Sequence, residues 1–393
     1  MRLALRNDAG YSLLRFSLAV SLGVLPFVPS ILDPAAICLM VALGIYSGLI
    51  LFKKGRMGIN CYGIYIVFFV GYLVFVNSLV SFVYDKDLAV FFRGVVPFLF
   101  FLFFTVFWND GRLTDKAAYD LAWLASIAWL VKICLFHAFD IFRVLSGELA
   151  RLSYVVSDVL IPFGLVGFVL TLYKGGLNGA VRFLLLAGFG GVIILSGYRS
   201  QFLMMVTVLL FYLRVWKSLL GMGLALVLFL IIGFLYLEGF PVIEVLVSRM
   251  SGSAGDSVRG AELDFAFSKF YESPIFGLGL TVPVPVELTR PDYVTELFEK
   301  DTVPYIHNFL GYFLMNTGVI GAGGILLALC WPLFMSGVYW LKGDGLHDEG
   351  VFIVLFLLVV FFSVSASFRQ IQIIIVFMLL AVFVFKRNRE GLI

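Results

Sequence analysis

Long apolar runs, separated by short polar breaks, recur along almost the whole of this chain. A helix crosses bilayer hydrocarbon with about 20 mostly apolar residues. In lipid a backbone must satisfy its own polar groups, as a helix or a closed barrel does. Runs of this kind fall at residues 12–30, 35–52, 60–83, 88–107, 118–139, 158–174, 181–197, 200–214, 218–238, 318–341, 351–368 and 371–385. The expectation is an all-α polytopic membrane protein of about 12 transmembrane helices. Charge supply agrees: 13% of the 393 residues are charged, against about 25% in soluble domains. A water-facing surface cannot be assembled from half that supply. Net charge is +3 with no dense basic block, which argues against nucleic acid. Cys38, Cys61, Cys134 and Cys330 lie in or beside apolar runs without disulfide or zinc spacing, and read as small buried hydrophobes. Met1 to Gly10 carries Arg2 and Arg6, and the apolar run after it lacks a small-residue cleavage site, so it reads as a retained first span.

Short cytoplasmic loops are enriched in Lys and Arg. One alternating set of loop ends holds Arg2, Arg6, Lys53, Lys54, Arg56, Arg112, Lys116, Lys174, Arg182, Arg214, Lys217, Lys342, Lys386, Arg387 and Arg389. The other holds Lys86, Arg143, Arg151, Arg199 and Arg369. The first set is expected in the cytoplasm, with both termini, and the second outside. The segment 239–305 is then a long outer loop. Loops of that length are usually functional or disordered; a helical stretch inside this one favours order. The chain divides on this reading into N-terminal spans at 1–150, a central region at 151–341 that includes the loop, and two C-terminal spans at 342–393. No six-plus-six repeat is visible, which counts against the commonest twelve-span transporter plan.

Candidate chemistry gathers on the outer side. Arg199 sits in Ser196-Gly197-Tyr198-Arg199-Ser200-Gln201, a tight link between two spans. The plainer account is a snorkelling arginine anchored to lipid phosphate. Arg259 follows a Ser/Gly-rich stretch. Residues 257–273 read as a helix capped by Asp256 or Ser257 and ended by Pro274, with Arg259 in the first turn. A cation there opposes the helix dipole by roughly 0.3–1 kcal/mol, yet the pair suits an anion such as phosphate. A partnership with Glu262 is the alternative. Arg151 has a plain partner in Glu148. His307 opens Tyr305-Ile306-His307-Asn308-Phe309-Leu310-Gly311, where residues 306–316 read as a short interfacial helix followed by a separate span. A histidine there can serve as a general base, or simply sit at the interface. Arg93 and Lys132 lie within apolar spans near their outer ends, where snorkelling competes with function. Asp85-Lys86-Asp87 is similar to the paired aspartates of metal-dependent glycosyltransferases, but three residues read more simply as a solvated turn.

The order of these motifs resembles the bacterial O-antigen ligase and O-antigen polymerase superfamily. The residues concerned are Leu195-Ser196-Gly197-Tyr198-Arg199-Ser200, then Ser257-Val258-Arg259, Glu272-Ser273-Pro274-Ile275-Phe276-Gly277-Leu278-Gly279, His307-Asn308-Phe309-Leu310 and Thr317-Gly318-Val319-Ile320-Gly321. Arg151-Leu152-Ser153 is similar to a family arginine that precedes a span. Tyr198 and Asp158 depart from the usual pattern. The resemblance implies a GT-C-like, metal-independent inverting glycosyltransferase of the bacterial inner membrane, without cofactor. Its donor would be an undecaprenyl-diphosphate-linked oligosaccharide, its acceptor a glycan hydroxyl on the periplasmic face. By the same resemblance Arg151, Arg199 and Arg259 bind the diphosphate and His307 is the catalytic base. Tyr198, Gln201, Asn308 and Arg93 are candidate supports, and a chain-length regulator protein is a candidate partner. The leading expectation is a polymerase of O-antigen, capsule or exopolysaccharide repeats, with a ligase to lipid A-core as its rival. A lipid-linked sugar flippase is the alternative from another class; it would spread its charges along a central cavity instead of gathering them on one face.

Overall fold

The computed structural model describes residues 2–26, 34–54, 60–83, 88–214, 254–280, 282–285, 288, 302–303, 306, 308–342, 345–364 and 370–390. These residues are almost entirely helical. In chain order the helices are α1 (Arg2–Val24), α2 (Pro34–Lys54), α3 (Cys61–Val83), α4 (Leu88–Leu99), α5 (Phe103–Asn109), α6 (Asp115–Phe136), α7 (Ala138–Leu145), α8 (Phe163–Tyr173), α9 (Gly179–Ser196), α10 (Arg199–Tyr212), α11 (Ala254–Glu272), α12 (Phe309–Lys342), α13 (Leu346–Val364) and α14 (Ile371–Glu390). Strands β1 (Val284–Pro285) and β2 (Thr302–Val303) pair antiparallel, Val284 opposite Val303. The chain forms two compact units: residues 1–55, 114–252 and 336–357, and residues 56–113, 253–335 and 358–393.

In the first unit α1 lies along α6. They meet at Gly23, where a Cβ would strike the backbone of Ala125 and Trp129. A row of polar tips then ties α6 to the chain around α8. Tyr119 Oη donates to the Leu170 carbonyl (2.6 Å), Trp123 Nε1 to Thr171 Oγ1 (3.0 Å) and Trp129 Nε1 to the Asp158 carbonyl (3.1 Å). Each tip would cost roughly 1–3 kcal/mol if buried without a partner, so these residues fix the register of α6 against α8 as well as filling space.

In the second unit α14 is buried on every side from Ile373 to Phe385, the pattern of a central helix. Tyr62 stacks on Phe385 (centroids 4.8 Å), meets Phe104 edge-on (4.7 Å) and donates to the Ala328 carbonyl (2.7 Å). Lys386 Nζ donates to the carbonyls of Asp110 (2.6 Å) and Leu113, just past the end of α5. A cation there suits the negative helix terminus.

Apolar runs and helices coincide in most places, with informative exceptions. Among the described residues four helices are long and apolar enough to cross a membrane: Cys61–Val80, Asp115–Phe136, Gly179–Ser196 and Phe309–Lys342. The run at 218–238 lies outside the described residues. The run at 88–107 is two helices joined by a 3₁₀ turn at Phe100–Leu102, because Pro97 withdraws a backbone donor. The run at 158–174 holds an α-helix of only 11 residues, preceded by 3₁₀ turns at Leu152–Tyr154 and Ser157–Leu160 and by Pro162. At 1.5 Å per residue that helix spans about 16 Å, half of the hydrocarbon. All four cysteines are exposed, not buried. On a membrane protein a small apolar side chain is as well placed against lipid as in the core. Large exposed side chains such as Phe68, Phe82 and Phe136 agree.

Candidate functional site

The link between α9 and α10 contains just two non-helical residues. Gly197 ends α9 in the left-handed region (φ 66°), where glycine is favoured, and its N–H donates to the Ile194 carbonyl (3.1 Å). Tyr198 is extended, and its N–H donates to Ser196 Oγ (3.2 Å). Arg199 is therefore the first residue of α10, and its N-cap position gives no side-chain cap. The sequence pointed to an arginine in the first turn of a helix, but at Arg259; the structure has it at Arg199. Here first-turn N–H groups, the positive helix terminus and a guanidinium coincide, a combination suited to an anion.

Arg151 completes this corner. Its backbone is extended (φ −165°, ψ 152°) and the residue is buried. Its stem lies on Gly197, where an added Cβ would sit 2.9 Å from Arg151 Cβ and Cδ. Its guanidinium lies 3.9 Å from the centre of the Tyr154 ring. The Glu148 carboxylate expected to hold it is instead 3.7 Å from Arg143. Gln201 is buried and donates to the Val159 carbonyl (3.3 Å), tying the first turn of α10 to the 3₁₀ segment after Arg151. Arg151, Tyr198, Arg199 and Gln201 thus belong to one local structure.

The second unit contains a backbone clasp. Helix α12 breaks at Gly318 (φ 62°, ψ −167°). An unbroken helix would bond the N–H groups of Val319 and Ile320 to the carbonyls of Met315 and Asn316. Instead the Met315 and Asn316 carbonyls accept from Leu278 (3.0 Å) and Gly279 (2.9 Å). The Val319 and Ile320 N–H groups donate to Pro274 (2.9 Å) and Ile275 (3.5 Å). Asn316, fully buried, seals the exchange: Oδ1 accepts from Val282 N–H (2.9 Å) and Nδ2 donates to the Tyr312 carbonyl (2.7 Å). A Cβ at Gly277 or Gly318 would fall on the opposite backbone. The sequence reading of a short helix followed by a separate span agrees with the break at Gly318, for which the clasp gives the reason, but the helix begins at Phe309 and not at residue 306.

Gly318→Ala should therefore destabilise the purified protein by about 1–3 kcal/mol, because its backbone region is essentially reserved for glycine. Gly323→Ala, a helical position with open space around it, should be neutral or slightly stabilising. Thermal unfolding of the two variants in detergent separates them.

The remaining candidates fall unevenly. Asn308 Oδ1 accepts from Gly311 N–H (2.8 Å), so Asn308 caps α12. Gly311 lies close against Leu263 and Ala266 of α11. The helix that carries Arg259 thus packs on the first turn of α12. That helix begins at Ala254, however, so Arg259 is its sixth residue and lies beyond the first turn. Neither Asp256 nor Ser257 is its cap. Both lie inside the helix, which begins at Ala254. Glu262 is fully buried. The helix ends at Glu272, before Pro274, as the sequence indicates. Arg93 lies in α4. His307 and Asp85-Lys86-Asp87 lie outside the described residues. Gln201 and Asn308 were expected beside the chemistry, and both have architectural bonds that spacing alone does not reveal.

Residues 183–326 match the family model of O-antigen ligase. The matched stretch begins in α9 and ends inside α12, so it includes the Arg199 corner, α11 and the clasp, while Arg151 precedes it. A comparison with curated proteins found no match. The order of motifs and this match agree: residues 183–326 are similar to the O-antigen ligase family.

Proposed function

We propose that this protein is a glycosyltransferase that moves a glycan from undecaprenyl diphosphate to a sugar hydroxyl, and that it polymerises O-antigen, capsule or exopolysaccharide repeats. The observation that carries the reading is the corner of Arg151 and Arg199 at an uncapped helix start, which overlaps the O-antigen ligase match. The acceptor oxygen attacks the anomeric carbon as the bond to the diphosphate breaks. Charge grows on the leaving diphosphate, where fixed donors stabilise the transition state most. Arginine offers it a bidentate fork. His307 takes the hydroxyl proton, and no metal is needed.

Attachment of a finished chain to lipid A-core is the second reading, favoured by the description of the matched family itself. A deletion strain decides between them. Lipopolysaccharide limited to single-repeat bands means a polymerase. Core alone, with lipid-linked polymer accumulating, means a ligase.

The proposal places the protein in the bacterial inner membrane, termini in the cytoplasm and residues 151–341 as the catalytic region facing the periplasm. A cysteine at position 200, and others within 245–300, should react with an impermeant maleimide in intact spheroplasts. Labelling at position 200 from the cytoplasmic side alone would contradict this site. The donor and glycan acceptor are its substrates, with a chain-length regulator as a protein partner.

A further inference from the structure

Between α7 and α8 the chain runs from Ser146 to Pro162 with only two short 3₁₀ turns. That segment carries Arg151 near one end and Asp158 near the other. No α-helix holds it, so its position depends on a few anchors. Val159 is anchored through its carbonyl to Gln201 of α10, and Asp158 through its carbonyl to Trp129 of α6. One helical turn from Trp129, Lys132 Nζ lies 2.5 Å from Asp158 Oδ2, with the two side chains 11% and 10% exposed. A buried ion pair is a poor source of stability, since desolvation cancels most of the attraction. Within an apolar helix it marks a position where charge is kept for another purpose.

We infer that Lys132 and Asp158 are a positioning pair that fixes the segment 151–160 and thereby aims the Arg151 guanidinium beside Arg199. This rests on the proposed diphosphate-binding role of the two arginines. The pair acts through Arg151. The carboxylate also neutralises Lys132, so that the ammonium does not compete with the arginines for the anion.

The test uses purified full-length protein in detergent, with farnesyl diphosphate as a binding probe and farnesol as the control lacking the diphosphate. Turnover of a lipid-linked oligosaccharide donor is measured in parallel. Asp158→Asn and Lys132→Met should each weaken farnesyl diphosphate binding and leave farnesol binding unchanged. Turnover should fall about 100-fold, the loss that follows a misplacement of about 1 Å in a reacting site. Adding either change to Arg151→Lys should cost little more, because both act on one guanidinium. Melting temperatures should not follow the binding losses. Wild-type affinity in both single variants, full additivity with Arg151→Lys, or losses that track melting temperature would overturn the positioning role. Tighter binding in Asp158→Asn would also overturn it and make Lys132 a direct ligand. A wild-type protein that binds farnesyl diphosphate no better than farnesol would sink the proposed function, and this role with it.

Discussion

His307→Ala should stop glycan transfer while the protein still inserts, accumulates and binds its lipid-linked donor. A positioned general base contributes about 10²–10⁴-fold in rate, and no other histidine lies within the matched stretch. The neighbour Asn308 supplies the contrast. Its carboxamide caps α12, so Asn308→Ala should cost about 0.5–2 kcal/mol of stability and reduce turnover far less. If His307 served only to hold the chain, His307→Gln, close in size and hydrogen-bonding reach, would restore activity. As a base it has no such substitute. Single-turnover rates with defined donor, measured across pH, distinguish the two. A His307→Gln enzyme working near the wild-type rate with the wild-type pH profile would show that another group takes the proton.

Arg199→Lys should lose turnover on the order of 10²-fold, as when one donor is removed from a developing anion. The charge is kept, but the planar fork that grips two oxygens is gone. Arg199 begins α10 without a side-chain cap. Its charge opposes the helix dipole. Arg199→Gln, which removes that charge, should lose turnover at least as far as Arg199→Lys does. Arg259→Lys should also lose most activity, although its position beyond the first turn of α11 removes the helix terminus from the argument and leaves the guanidinium alone. Full turnover in Arg199→Lys would mean that the fork does not grip the diphosphate.

Much of this was legible because hydropathy and punctuation are local signals. Most of the apolar runs coincide with helices among the described residues, and the tight link at Ser196-Gly197-Tyr198 and the end read at residue 316 fall at or beside the two breaks, where Gly197 and Gly318 have a positive φ and a close approach. What was not legible depends on partners distant in sequence. The helix expected at 158–174 begins late because Asp158 and Val159 spend their carbonyls on Trp129 and Gln201. No periodicity in the segment announces those bonds. Lys132 read as a snorkelling cation, and its partner is 26 positions away. The start of α11 was misplaced by three residues because Asp256 suits both an N-cap and a first turn. The two readings move Arg259 from one helical environment to another.

Purified protein is reconstituted in liposomes with a single undecaprenyl-diphosphate-linked repeat unit and no other sugar. A polymerase yields a ladder of longer lipid-linked glycans and released undecaprenyl diphosphate, with no dependence on added divalent metal. Repeat units moved across the bilayer without any new glycosidic bond would contradict it, whether or not lipid A-core is supplied as acceptor.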